Sequence, residues 1–305
     1  MGIARRRFSV PADAEISIEC NPDPALCEGF AHYREAGISR ISFGVQSFVP
    51  QELKVLGRRH SAADVEAAVG RARAAGFVDI SLDLLFGVPG QSLVTLNHSI
   101  DAALALDLPH LSAYGLTIEE GTPYEQWRAR EPGLFGDDTR EAEFYDRLMT
   151  RLQAAGYEQY EISNFARPGH RCRHNEQYWN NDEYAGFGLG AASYRNGVRG
   201  IHTKEFELYV EAVERGQKIP GEAEELDHDA RIGEAIMLAL RRREGVDAGS
   251  FAARYRVEPA ARYSEVIARF SDAGLLETDR AGFRLTVAGK FLANEVCAAF
   301  LKAVP

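Results

Sequence analysis

Asp79-Ile-Ser-Leu-Asp-Leu-Leu-Phe86 is the stretch from which the fold is read. Ile80, Leu82 and Leu84 alternate with Ser81, Asp83 and Leu85, the two-residue period of a strand. One face is aliphatic and the other largely small or acidic. Arg40–Gln46 divides in the same way, Ile41, Phe43 and Val45 against Ser42, Gly44 and Gln46. Glu15–Cys20 sets Ile16 and Ile18 against Ser17 and Glu19, and His110–Leu116 offers Ser112 and Tyr114. Helical stretches lie between these strands. One opens at Pro24 and runs to about Ala36 before Gly37; a helical turn covers Pro50–Leu56. Ser61 caps a helix to Ala75, and Ser92–Leu106 follows the turn Gly87-Val-Pro-Gly90.

A strand–helix repeat of this kind calls for parallel strands joined by right-handed crossovers. An open doubly wound sheet is buried on both faces and reads as continuous Val, Ile and Leu. The polar faces predict instead an α/β fold built as a partial (β/α) barrel with a ligand at the C-terminal ends of its strands. Glu19, Gln46 and Asp83 converge there. A structural role accounts for each residue as well. Glu19 suits a helix cap, Gln46 a loop anchor, and Asp83 a partner to an arginine such as Arg58. Asp138–Ala155 reads as a long helix and Tyr157–Ile162 as a further strand.

Tyr160–Trp179, YEISNFARPGHRCRHNEQYW, marks a change of character. It follows a strand and is expected to lie as a loop over the barrel mouth. Cys172 and His174, beside Tyr178 and Trp179, offer soft ligands next to flat apolar surface. That set suits a metal or a metallated planar ring. A packed loop between two domains, with His174 bonded to backbone, accounts for the same residues. Beyond it, Gly186-Phe-Gly-Leu-Gly190 lacks the Lys of a P-loop and the full dinucleotide spacing, and reads as a close-packed turn. Glu205–Arg215 is a helix and Gly216–Glu225 a polar connector. Three helices (Asp229–Arg243, Ala248–Tyr255, Pro259–Ala273), two short strands (Leu275–Thr278, Gly282–Leu285) and a helix Val287–Lys302 predict a winged-helix-like module from about residue 227. The expected domains are 1–200 and 201–305.

The 305 residues are 45% hydrophobic, enough for a full core, with a net charge of −10 that argues against a nucleic-acid surface. Arg241-Arg242-Arg243 is an isolated basic cluster. No apolar run reaches the length of a membrane span, and no signal peptide is read before Ala4–Phe8. Four scattered cysteines (Cys20, Cys27, Cys172, Cys297) fit a reducing cytoplasm. Arg5–Pro11 reads as a basic turn entering the strand at Glu15, which would leave an uncovered sheet edge.

The runs IECNPD, RISFGVQSF, LGRRH, LDLLFGVPGQ, EEGTPY, YEISNFARPGHRCRHNEQYW and GFGLGAASY resemble the oxygen-independent coproporphyrinogen III oxidase family of radical S-adenosylmethionine (SAM) proteins. The Cys-Arg-His-Asn-x-x-Tyr-Trp run at Cys172–Trp179 resembles that family's heme-chaperone branch. The resemblance extends over about Glu15 to Phe300. It implies a partial (β/α)6 barrel that holds a [4Fe-4S] cluster and SAM, with a small C-terminal helical domain. By the same resemblance Glu19, Gln46, Arg58, Asp83 and Ala192 are SAM-binding residues. His174 is the heme-iron ligand, with Tyr178 and Trp179 in the same motif. Heme is the implied partner, with proteins that donate or accept it. The alternative is the oxidase itself, an oxidative decarboxylation in porphyrin biosynthesis. The family's Cys-x3-Cys-x2-Cys motif and its GGGTPS segment do not occur in this sequence, and Cys20 and Cys27 have other spacing. The chain therefore reads as a family member without its first two β-α units. No catalytic residue is assigned, and no radical chemistry is expected of it as it stands.

Overall fold

A computed structural model describes residues 2–23 and 29–302, which fall into two compact units that divide between His174 and Asn175. The expected boundary near residue 200 lies inside the second unit. The first unit begins with a helix α1 (Gly2–Arg7) that buries no residue, where a basic turn was expected. Strand β1 (Ser17–Cys20), helix α2 (Phe30–Glu35) and strand β2 (Arg40–Gln46) follow. The expected helix start at Pro24, like Cys27, lies outside the described residues.

Helices α3 (Pro50–Val55) and α4 (Ala62–Ala74) lead to β3 (Asp79–Phe86), and α5 (Leu93–Ala105) leads to β4 (His110–Gly115). Ser61 caps α4 reciprocally with Asp64, and Ser92 caps α5 in the same way with Thr95. Each hydroxyl satisfies a backbone N–H that the first helical turn leaves without a partner. The aliphatic faces read from sequence are buried: Ile41, Phe43, Val45, Ile80, Leu82, Leu84, Leu111 and Ala113. Val65, Ala68, Val69 and Ala72 of α4, with Leu96, Ile100 and Ala103 of α5, add to this core.

Helices α6 (Pro123–Arg130) and α7 (Asp138–Ala154) precede two very short strands, β5 (Glu158–Gln159) and β6 (Asn164–Ala166). The single strand expected at Tyr157–Ile162 is a hairpin instead. Glu161 is buried in the turn and accepts from the Ser163 N–H and the Asn164 amide. The Ile162 carbonyl takes the Tyr145 hydroxyl and the Gln159 amide. Polar side chains thus satisfy a turn that has no glycine to ease it. The sheet order is β1-β2-β3-β4-β6-β5, with β1 to β4 parallel and β6 antiparallel to β4. The parallel series therefore stops at β4, and the chain runs back along it.

Helix α8 (Arg173–Trp179) spans the division between the units, so most of the expected Cys/His loop's C-terminal half is helical. In the second unit, β7 (Ala192–Arg195), β8 (Val198–His202) and β9 (Gly221–Glu225) form an antiparallel sheet, with α9 (Phe206–Glu214) between β8 and β9. Residues 221–225 were expected to be connector; GEAEE carries no apolar alternation and is exposed throughout. Helices α10 (His228–Leu240), α11 (Ala248–Tyr255), α12 (Pro259–Arg262) and α13 (Ser264–Asp272) follow, with a two-residue strand β10 (Val246–Asp247) after α10. Strands β11 (Leu276–Thr278) and β12 (Gly282–Leu285) pair, and α14 (Val287–Phe291) and α15 (Ala293–Lys302) close the chain. Two helices expected to be continuous are thus broken, one at Tyr263 and the other at Leu292.

Tyr263, Phe283 and Phe300 form the aromatic centre of this unit, with ring centroids 5.4 and 5.7 Å apart around Phe300. Gly245 has φ of 70°, and a Cβ there would run into the Phe283 carbonyl, so glycine is required where β10 meets β12. In the first unit Leu82 is fully buried at the middle of the sheet. Leu82→Ala is expected to lower the free energy of unfolding by about 3 kcal/mol, measured by urea denaturation.

Candidate functional site

The C-terminal ends of β1, β2 and β3 gather four residues named from sequence: Glu19, Gln46, Arg58 and Asp83. Asp83 projects from the polar face of β3, and Ser42 of β2 donates to its Oδ1 at 3.0 Å. Burial pushes the Asp83 carboxyl up to about 6; the hydroxyls of Ser112 and Ser42 pull it down, and the charge of Glu19 pushes it further up. Glu19 and Asp83 thus feel one another across the sheet. Arg58 does not pair with Asp83. It donates to Asn21 Oδ1 at 2.7 Å.

Strand β2 shifts register between Phe43 and Gln46, and Gln46 takes φ of 70°. A glutamine holds that backbone only where its surroundings fix it. A Cβ at Gly44 would lie 3.1 Å from Gln46 Nε2 and 3.5 Å from Asn21 Oδ1. The bare glycine therefore leaves room for both amides beside Arg58. Tyr114, from β4, adds a phenol whose pKa is pushed up to about 12 by burial and by the charge of Asp83.

Asn21 and the buried pair Glu52 and Gln91 were not singled out from sequence. Glu52 Oε2 accepts from Ser47 at 2.6 Å and from Gln91 Nε2 at 3.0 Å, and Gln91 Oε1 accepts from the Gly87 N–H at 2.9 Å. Glu52 therefore ties the turn after β2 to the turn after β3. The available signal for Asn21 was an Asn-Pro step directly after a strand.

The segment bearing Cys172 and His174 does not lie at this end. Because β6 is antiparallel to β4, it carries the chain back to the N-terminal ends of the parallel strands, where the Arg167 N–H donates to the Pro109 carbonyl. His170 Nδ1 lies 2.7 Å from Asp79, the first residue of β3. Arg40, the first residue of β2, donates to the His170 carbonyl at 2.9 Å. The His174 N–H donates to Glu15, just before β1, at 3.0 Å. The expectation of a loop over the mouth is thereby overturned. Asp79 and Asp83 are four residues apart on one strand, about 13 Å at the usual rise.

This opposite end holds its own polar ladder. His110 Nδ1 lies 2.6 Å from Ser81 Oγ, and His110 Nε2 lies 2.8 Å from the Tyr160 hydroxyl. Tyr160 in turn accepts from the Cys172 N–H at 3.3 Å. A neutral His110 donates from one ring nitrogen and accepts at the other, so Ser81 and Tyr160 take opposite roles along this ladder. Burial, then the charge of Arg40, holds His110 well below the ordinary histidine range. A neutral ring is what this one-donor, one-acceptor arrangement needs.

In the second unit, Tyr178 meets Tyr184 edge to face at 4.7 Å. Arg241 lies over the Trp179 ring at 5.1 Å. Trp179 also lines a cavity of about 570 Å³ with Arg242, Phe251, Arg254 and Phe283. Ala192 is exposed at the start of β7.

Among the described residues, no group of three or more His, Cys, Asp or Glu side chains is placed to hold a metal ion. Cys20 lies on β1 with its thiol raised by burial, while Cys172 and Cys297 are buried elsewhere. These residues do not fit a [4Fe-4S] cluster, which needs several thiolates together. Glu19, Gln46, Arg58 and Asp83 do fit the polar groups of a nucleoside-bearing ligand, offering carboxylate acceptors and amide donors on one side.

Its relatives make this chain an α/β protein of the radical SAM type. The Radical SAM superfamily model matches residues 2–103, and the HemN C-terminal domain model matches residues 226–292. The chain is 38% identical over 288 residues to the heme chaperone HemW of Bacillus subtilis, covering 94% of this chain and 76% of the relative. It is 36% identical over 297 residues to the heme chaperone HemW of Mycobacterium tuberculosis (strain H37Rv), covering 97% and 74%. The solved structure of coproporphyrinogen III oxidase (HemN) from Escherichia coli superposes with a TM-score of 0.83, at 22% identity, covering 99% of this chain and 73% of that one. That last likeness is one of fold. The chain belongs to the HemW heme-chaperone family.

Asp83 titrates higher in the fold than its ordinary value near 4, so the folded state binds more protons between about pH 4 and 6. Its contribution to stability is full below that window and falls as pH rises through it. Asp83→Asn is expected to abolish this loss, worth at most about 3 kcal/mol, when melting temperature is followed against pH.

Proposed function

We propose that this chain binds heme and passes it to, or receives it from, other proteins, with His174 supplying the iron ligand and Tyr178 and Trp179 contributing to the same motif. A neutral imidazole is a common ligand of heme iron, and His174 is exposed. The carrying observation is the antiparallel return of β6. It takes His174 to the N-terminal ends of the strands, away from Glu19 and Asp83. Heme bound there suits a cargo better than a substrate for chemistry at the strand tips.

Glu19, Gln46, Arg58, Asp83 and Ala192 are proposed as the SAM-contacting residues. The parallel strands β1 to β4 and their helices are proposed to form a partial (β/α) barrel within the first unit, and the chain from about residue 227 a winged-helix-like module. No helix among the described residues is long and apolar enough to cross a membrane. A cytoplasmic location is proposed with the family assignment. The oxidase alternative draws on the shared fold and the HemN C-terminal domain. It would require the porphyrinogen at the same strand tips as SAM, where His174 plays no part. SAM would supply a reactive methylsulfonium at those tips, while the thiols of the described residues do not fit a cluster beside it.

Hemin titration of the 305-residue chain is expected to give a Soret shift that His174→Ala abolishes, or to show an affinity loss of tenfold or more, on the order seen for lost metal ligands and their supports. Unchanged spectra in the variant would remove His174 from this role. Separately, anaerobic reconstitution of this chain with iron and sulfide is expected to yield no [4Fe-4S] absorption; a stable cluster spectrum would overturn the fit argument.

A further inference from the structure

We infer that Glu15 is a positioning residue for His174, holding the ligand-bearing segment against the buried foot of the sheet. The inference rests on the heme reading above. Glu15 precedes β1 by two residues, and its side chain is only 13% exposed. Its two carboxylate oxygens face different partners. Oε2 lies 3.5 Å from the Arg40 guanidinium. Oε1 accepts from the His174 N–H at 3.0 Å and from the Cys172 thiol at 3.6 Å.

Arg40 is 4% exposed at the start of β2, and it also donates to the His170 carbonyl at 2.9 Å, with Asp79 at 3.9 Å. A guanidinium this deep cannot move toward water without losing its partners, so the carboxylate bonded to it is fixed as well. Glu15 passes that fixity to the backbone of His174. Tyr160 fixes the Cys172 N–H from the sheet side. The backbone is thus held at two points two residues apart, and the imidazole of His174 projects from an anchored position. An exposed helix start could be satisfied by water alone. A charged, largely buried acceptor aimed at the ligand residue does more than satisfy a donor: it restricts where the iron can sit.

The test is hemin titration of the full chain, followed by Soret position and affinity, for wild type, Glu15→Ala, Glu15→Gln, His174→Ala and the double variant Glu15→Ala/His174→Ala. Glu15→Ala is expected to weaken hemin binding about tenfold and to move the Soret band toward that of His174→Ala. Glu15→Gln keeps an acceptor oxygen for the His174 N–H and is expected to recover most of the wild-type spectrum. On the His174→Ala background, Glu15→Ala is expected to add nothing. If His174→Ala binds hemin as wild type does, the heme reading itself fails. If His174→Ala is impaired while Glu15→Ala matches wild type, the positioning role fails and the heme reading stands. An equal drop from Glu15→Ala on both backgrounds would mean a general loss of stability and would also overturn the proposal. Circular dichroism melting accompanies each variant. Should Glu15→Ala not fold, Glu15→Asp, which draws the carboxylate back by one methylene from the His174 N–H, carries the comparison: weaker hemin binding and a shifted Soret band are expected, and wild-type affinity and Soret position would overturn the positioning role.

Discussion

The buried guanidinium of Arg40 is the constraint around which the first unit closes. A cation this far from water must meet anions or carbonyls, and losing one partner of such a pair costs on the order of 3–5 kcal/mol. Three separate pieces of chain answer that requirement. Glu15 comes from before β1, Asp79 from the start of β3, and the His170 carbonyl from the segment returning past β6. The exposed pair Arg215 and Glu211 on α9 makes a useful contrast, since a pair of that kind contributes about 0–1 kcal/mol. One ion pair organises the fold and the other decorates a helix.

The two ends of the parallel strands carry different chemistry for the same reason, a polar inner face. At the C-terminal ends, Asp83 sits among serine hydroxyls with Glu19 nearby, and burial pushes its carboxyl toward the neutral form. At the N-terminal ends, His110 is also held neutral, as a link between Ser81 and Tyr160. The first arrangement leaves carboxylate and amide groups at the strand ends. The second consumes its donors and acceptors internally, and its product is a fixed backbone at Cys172 and His174.

Much of the parallel sheet was legible because its signals are local. β2 and β3 match the sequence reading residue for residue, since their alternation is long enough to declare both period and face. Ser61 announces its helix through hydroxyl capping, and the turn at Gly87–Gly90 announces the next. The convergence of Glu19, Gln46 and Asp83 follows from parallel strands ending at one level, while Arg58 entered this set by resemblance alone and reaches that end through Asn21. The position of the Cys172–His174 segment was misread. Asn164-Phe-Ala166 is too short to show a period, and nothing in a strand's own residues states its direction. Direction came from the buried turn at Glu161, whose partners, Ser163 and Asn164, are apparent only once the chain is folded. The sheet strand β9 escaped notice for another reason: GEAEE is exposed and acidic, and its pairing with β8 is made by backbone alone.

The relatives are of two kinds. A fold likeness of 22% identity is shared with an oxidase, while identities of 36 to 38% over nearly the whole chain lie with proteins named for chaperoning heme. The fold is common to both, since the oxidase superposes over 99% of this chain. The proposed heme ligand lies at the other end of the sheet from the polar strand tips. There Arg40, Glu15 and Tyr160 hold the backbone beneath an exposed histidine, with no contribution from the strand tips and no requirement for a cluster. A heme-binding role assigned to His174 therefore depends only on residues this sequence contains, and on a buried charge that keeps them in place.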